Sequence, residues 1–182
     1  MVEIWADKID NLTGKFNSEF SSLSSSQLNV KPNANSWSIG QCIDHLIVTN
    51  EQYFTIIERI NKGVYKSHWV SKVPFIPGLF GSVILKSVSP ETIAKKTKTF
   101  TVFEPSESAI RADILSRFTT MQLQLKAYLS EISPANYTKI ISSPVSRSIV
   151  YSLKTAIEII IAHEERHFLQ AKSVKEFVLN QS

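Results

Sequence analysis

One cysteine, five glycines and seven prolines are few for 182 residues, and each shortage excludes something. A lone Cys42 cannot close an internal disulfide, so a stapled secreted scaffold is excluded and a cytoplasmic location is expected. Scarce glycine and proline argue against a collagen-like, linker-rich or turn-dense all-β build. No apolar run approaches the roughly 18 residues that a membrane helix requires. The nearest, Ile157 to Ala162, already contains Glu158. The start, Met1-Val2-Glu3-Ile4-Trp5, carries no basic leader followed by an apolar stretch, so no signal segment is expected. What is present is 43% apolar content with three Trp, ten Phe and five Tyr, ample for one packed core, and the expected organisation is a single domain over residues 1–182.

Arginine is missing from the one strongly basic stretch. The formal charge is +4, but between Asn61 and Phe103 seven lysines, Lys62, Lys66, Lys72, Lys86, Lys95, Lys96 and Lys98, face the single acid Glu91. Such a stretch attracts anions. Lysine nevertheless lacks the bidentate fork that favours phosphate and base-edge recognition, so a solvated basic loop is expected, with no nucleic-acid partner and no membrane partner.

Helical periodicity dominates the chain. Trp5, Ile9, Leu12, Phe16, Phe20 and Leu23 step by three or four, the spacing of one helix face. Ser24 to Ser36 reads as a polar loop. A second helix begins at Ser38, whose pairing with Gln41 three residues on is a capping box, with Trp37 placed to staple Cys42. Its apolar face is Ile39, Cys42, Leu46, Tyr53, Ile57 and Ile60, and Lys62-Gly63 closes it. Val64 to Pro105 then reads as a long connection, broken by Pro74, Pro77, Gly78, Gly81 and Pro90, yet carrying Trp69, Phe75, Phe80, Ile84 and Leu85 to pack on the bundle. Ser89-Pro90-Glu91 suits the start of a short helix within it. The third helix is expected from about Ser106, with Ile110, Ile114, Met121, Leu125, Leu129 and Ile132 inward, and Pro134 just beyond. A second connection, Ala135 to Tyr151, leads to a last helix from Ser152 to about Val178. Four helices of about 20 to 27 residues span about 30 to 40 Å, the size of an all-α four-helix bundle with a long connection between its second and third helices.

The chemistry concentrates on the last helix. Its inward stripe, Ala156, Ile160, His163, His167, Ala171 (or Gln170), Val174 and Val178, places two histidines where aliphatic residues are expected. Buried imidazoles need partners, and two of them one turn apart repel if both are protonated. A divalent metal resolves both problems, since side chains at i and i+4 project side by side and neutral imidazole is a common ligand. His45, near the edge of the second helix's apolar face, is a third candidate. Three histidines on two helices would leave a coordination position open, the pattern of a catalytic site, and Zn, Ni or Fe all suit it. Against this, a single core histidine is more often hydrogen-bonded filler, His68 beside Trp69 reads as a loop residue, and Cys42 reads as packing.

His163-Glu164-Glu165-Arg166-His167 also matches H-E-x-x-H, in which the glutamate of a zinc peptidase acts as general base. A peptidase needs a third ligand downstream. Only fifteen residues follow His167, with Glu176 as their one acid and no G-x-x-H continuation, so the peptidase reading is a distant third.

Asn35-Ser36-Trp37-Ser38-Ile39-Gly40-Gln41-Cys42-Ile43-Asp44-His45-Leu46 resembles the second-helix start of the DinB/YfiT-like superfamily, where a Trp-Ser pair precedes a metal-binding histidine. Ser152 through His163-Glu164-Glu165-Arg166-His167-Phe168-Leu169-Gln170 resembles that family's last helix, and Lys98 through Pro105 its run-in to the third. The resemblance implies a four-helix bundle with a metal ion on His45, His163 and His167. It implies a small-molecule substrate as well, because members of known activity use the metal to activate a low-molecular-weight thiol such as mycothiol, bacillithiol or glutathione for transfer or isomerisation, and others are described as metal-dependent hydrolases. The expected function is therefore a metal-dependent thiol S-transferase or hydrolase; the alternative is a non-catalytic stress-response or ligand-binding bundle, in either case with a homodimer as an open option. Glu164 is a candidate base or supporting partner, or else an exposed carboxylate on the flank. Gln41, Thr49 and Gln170 lie within a turn of the ligands and are candidates to orient them. The Lys-rich connection, if it covers the open end of the bundle, is a candidate receiver for the carboxylates of a thiol.

Overall fold

In the computed structural model, residues 2–92, 99–106 and 109–180 are described. Four long helices, α1 (Val2–Phe20), α3 (Ile39–Asn61), α5 (Ile114–Ser130) and α6 (Leu153–Leu179), form the bundle. Two shorter ones, α2 (Ser25–Asn29) and α4 (Ile76–Val88), lie outside it. α1 and α3 each pack against both α5 and α6, so α1 stands diagonally across from α3 while α3 and α6 are neighbours. The predicted apolar faces supply one continuous cluster of buried side chains, including Ile9, Phe16, Leu46, Ile57, Met121, Leu125 and Ile160.

Local signals set the ends of these helices. Ser38 Oγ accepts from Gln41 N at 3.2 Å while Gln41 Oε1 accepts from Ser38 N at 3.3 Å, the reciprocal capping box anticipated from the sequence. Ser152 does the same work for α6, its Oγ accepting from Thr155 N at 3.0 Å. α1 stops at Phe20, short of Leu23, which packs half-buried against the core from a turn.

Five expectations need correction. The segment read as a polar loop holds α2, started by a second capping box between Ser24 and Gln27. The long connection is not irregular throughout, because α4 occupies its middle. Its Pro77 sits in the first turn, where a missing N–H costs nothing. Gly81 then lets α4 lie close to the start of α6, since a Cβ there would meet Thr155 Cγ2 at 2.9 Å. Ser89-Pro90-Glu91 leads only into a single 3₁₀ turn, Pro90–Thr92. The third long helix begins at Ile114 instead of about Ser106. Ile110 is buried ahead of it against Gly40, whose absent side chain makes the room, and Glu107 and Ser108 lie outside the described residues. Finally, the second connection contains a short antiparallel hairpin, β1 (Ile140–Ser142) with β2 (Val150–Ser152), which pairs Ile141 with Tyr151. α4 packs on β2 and α6, so hairpin and helix together wall one side of the α3/α6 groove.

Among the described residues no helix is long and apolar enough to cross a membrane. Of the basic stretch, Lys62, Lys66, Lys72 and Lys86 are exposed, while Lys95, Lys96 and Lys98 lie outside the described residues.

Candidate metal centre

Because the capping box fixes the first turn of α3, His45 falls one turn later on the side that meets α6. There it encounters His163 and His167, which project together from successive turns of α6. His45 Nε2 lies 3.2 Å from His163 Nε2, and His167 Nε2 lies 3.0 Å from the same atom. His45 and His167 are buried and His163 is half-buried, so one edge of the triad is open.

The protonation of this group follows from its surroundings. The Phe103 carbonyl can only accept a hydrogen bond, so the short contact from His45 Nδ1 makes that nitrogen the N–H and leaves Nε2 with its lone pair toward the other two rings. Desolvation pushes His45 down to about 4, against the pull of the Phe103 carbonyl and Asp44. His163 and His167 lie well below the ordinary histidine value, first through desolvation and then through the neighbouring imidazoles. All three are therefore neutral near pH 7, the form that binds metal. His167 Nδ1 is buried without an aligned hydrogen bond, although the Gln170 side chain beside it favours the charged ring.

Three neutral rings cannot satisfy this arrangement by themselves. His163 Nε2 faces two other Nε2 atoms, and its single possible proton can serve only one of them. A cation at the centre of the three lone pairs removes the conflict. Tetrahedral ligands at about 2.0 to 2.1 Å from zinc stand roughly 3.3 to 3.4 Å from one another, close to the separations found here. The residues present fit a divalent metal.

Around the triad, several groups escaped the sequence reading. Trp37, expected to staple Cys42, packs its ring on the site, with its centroid 4.7 Å from that of His45 and 5.8 Å from that of His167. Asp44, wholly buried, accepts from both the backbone N and Oγ of Ser106 at 2.7 Å, and Arg117 Nη2 stands 3.3 Å from its other oxygen, an ion pair not aligned as a hydrogen bond. This anchor holds the 103–106 stretch, and with it the Phe103 carbonyl, against α3. The only advance signal was a carboxylate beside His45 on an apolar helix.

Glu164 is not on the flank. It is completely buried, accepting from Asn50 Nδ2 at 2.7 Å and Gln122 Nε2 at 2.8 Å, and burial raises it to about 7 despite those two donors. It faces α3 and α5 through these bonds and does not line the cleft, so the geometry a zinc peptidase requires of that glutamate is not met. Gln41, Thr49 and Gln170 do line it; Gln41 spends its amide oxygen on the helix cap, and Thr49 Oγ1 is buried with no hydrogen-bond partner. His68 caps a 3₁₀ turn, away from the triad. Cys42 is a buried free thiol pushed up to about 12 by desolvation.

The open edge of the triad gives onto a cleft of about 1260 Å³ between α3 and α6. Its described lining includes one cation, Arg166, which donates to Thr92 Oγ1 at 2.6 Å and to the Ser87 and Ser89 carbonyls at 3.4 Å, tying α6 to the end of α4. None of Lys62, Lys66, Lys72 and Lys86 lines it.

The sequence pattern of the DinB superfamily matches residues 9–171, which contain all three histidines. The chain belongs to the DinB superfamily. It is 24% identical over 159 residues to the uncharacterized protein YuaE of Bacillus subtilis (strain 168), covering 87% of this chain and 89% of that protein. Its fold is similar to that of YfiT from Bacillus subtilis, described as a probable metal-dependent hydrolase with an unusual four-helix bundle topology, with a TM-score of 0.62 and 10% sequence identity over 97% of this chain and 86% of that one. At that identity the likeness speaks to the fold. This member of the DinB superfamily carries the metal-binding argument on its own three imidazoles.

Proposed function

We propose that the chain is a metal-dependent hydrolase in which His45, His163 and His167 hold a divalent cation at the edge of the α3/α6 cleft. The convergence of three neutral imidazole lone pairs on one point beside a large cleft is the observation that carries this reading. A divalent ion held there by the three histidines would supply Lewis acidity of the kind that brings the pKa of water or a thiol toward neutrality.

The chain's own groups do the rest. The Phe103 carbonyl fixes the tautomer of His45, and Trp37 closes the site on one side against bulk water. Arg166 offers the cleft a cationic wall suited to an anionic group on the substrate or to charge developing during the reaction. The same arginine favours a second reading, transfer of a carboxylate-bearing thiol of the glutathione or bacillithiol kind, whose anionic groups need a cation.

Elemental analysis of untagged protein, beside His163→Ala and His167→Ala, tests the centre: near-stoichiometric metal in the wild type and its loss in both variants are expected. The same low, sub-stoichiometric content in all three proteins overturns the enzyme reading. Incubating the loaded protein with an ester panel, with and without a thiol panel, then separates the two chemistries, since only transfer consumes free thiol.

A further inference from the structure

Beyond the histidines, the cleft continues along α3. Gln41, His45, Thr49 and Tyr53 recur every four residues and all line it, so Tyr53 stands about 12 Å from His45 at about 1.5 Å per residue. At that far end three hydroxyls gather, and a fourth, that of Thr49, stands midway along the cleft. Tyr53 and Tyr151 share a hydrogen bond of 2.8 Å, Ser143 lies beside Tyr151, and Thr49 stands one turn short of Tyr53. Thr49 is 6% exposed and its Oγ1 has no partner, although a helical threonine ordinarily bonds back to the preceding turn. A buried orphan hydroxyl costs stability unless something else satisfies it. Between this end and the histidines the walls are aliphatic: Ile84 and Val88 of α4, Ile149 at the hairpin, and Ile159 and Ile160 of α6.

We propose that the Tyr53 end of the cleft is a substrate-recognition subsite for an uncharged hydrogen-bonding group, a hydroxyl or an amide, at the far end of an elongated apolar substrate whose reacting group sits at the histidines. This rests on the metal-site reading above and extends it to substrate class. Charge decides the choice of head group. The described residues around the hydroxyl cluster include no cation to receive an anion and no acid to receive an ammonium, and a charge brought there would lose its hydration without compensation. Both phenols, raised by burial, stay protonated and keep their donors. A hydroxyl or amide both donates and accepts, and so can complete a network of hydroxyls that do the same.

Hydroxamates fixed to the metal at one end read the other. The metal-loaded full chain is titrated calorimetrically with acetohydroxamate, octanohydroxamate, 8-hydroxyoctanohydroxamate and the suberic monohydroxamate that ends in a carboxylate. The separation of about 12 Å is the reach of an extended eight-carbon chain counted together with its hydroxamate and its terminal hydroxyl. The hydroxyl-ended probe should bind about three- to tenfold more tightly than the methyl-ended one, and the carboxylate-ended probe more weakly than either. Tyr53→Phe and Tyr151→Phe, close in shape to the residues they replace, should each erase the hydroxyl's advantage while leaving acetohydroxamate affinity unchanged, which also reports that the variants fold. Equal binding of the three long probes, or a hydroxyl advantage that survives both substitutions, overturns the subsite alone. Protein that elemental analysis finds metal-free even after incubation with the divalent ion overturns the metal reading, and the subsite falls with it.

Discussion

Asp44→Asn is the most informative single change outside the ligands. The wild-type carboxylate accepts two charge-assisted hydrogen bonds from Ser106, each at 2.7 Å, from a position with no solvent exposure. Such bonds contribute about 1.5 to 3 kcal/mol and neutral ones about 0.5 to 1.5, so an amide that keeps both geometries still loses roughly 2 kcal/mol. Arg117, 39% exposed, turns to water and adds little. The functional consequence passes through the chain: a looser Ser106 loosens the Phe103 carbonyl, which orients His45. Partners of this kind typically alter metal affinity about 10- to 100-fold, and the low end is expected here because His163 and His167 are untouched. Urea unfolding in chelator reads the first effect and competition against a chromophoric chelator the second. Ser106→Ala, which keeps the charge beside His45 and removes one bond, should lower stability by about 1.5 to 3 kcal/mol and weaken metal binding by a smaller factor in the same direction. An unfolding midpoint that falls in both variants while metal affinity stays constant would refute the positioning role.

Three further outcomes follow from the same structure. In chelator, stability should fall as pH drops from about 6.5 toward 4, because the unfolded chain takes up protons on His45, His163 and His167 that the folded chain refuses; for His45 alone the shift from 6.5 to about 4 is worth roughly 3 kcal/mol, measurable by urea unfolding at several pH values. Glu164, raised to about 7, works in the opposite sense over the same window, one group against three, so a flat or rising profile on acidification contradicts the neutral triad. Cys42 should resist an aromatic disulfide reagent at pH 8 in the native protein and react fully in guanidinium, with fast native labelling the contrary result. Phe75, left-handed at φ 66° and 92% exposed, gains nothing from its side chain, and Phe75→Gly should raise the thermal midpoint through roughly 0.5 to 1 kcal/mol of relieved strain; a lowered midpoint contradicts this.

The bundle was legible in the chain because its signals are local. Apolar spacing in α1, α3, α5 and α6, and serine caps at Ser38 and Ser152, act within one or two turns, and the family motifs around His45 and His163 ride on those same helices. α2 and α4 were lost where short length and proline or glycine content resembled a loop, and the hairpin was lost because strands of three residues carry too little alternation to read. Sequence alone determined that two histidines share one face of the last helix and that a third stands one turn into the second. Only tertiary structure decided that all three meet, that a backbone carbonyl 58 residues from His45 sets its tautomer, and that Glu164 turns into the core toward Asn50 and Gln122. The reason is physical: periodicity fixes which face a side chain occupies, whereas the partner it finds there depends on how separate helices rotate against one another, and no local spacing encodes that rotation.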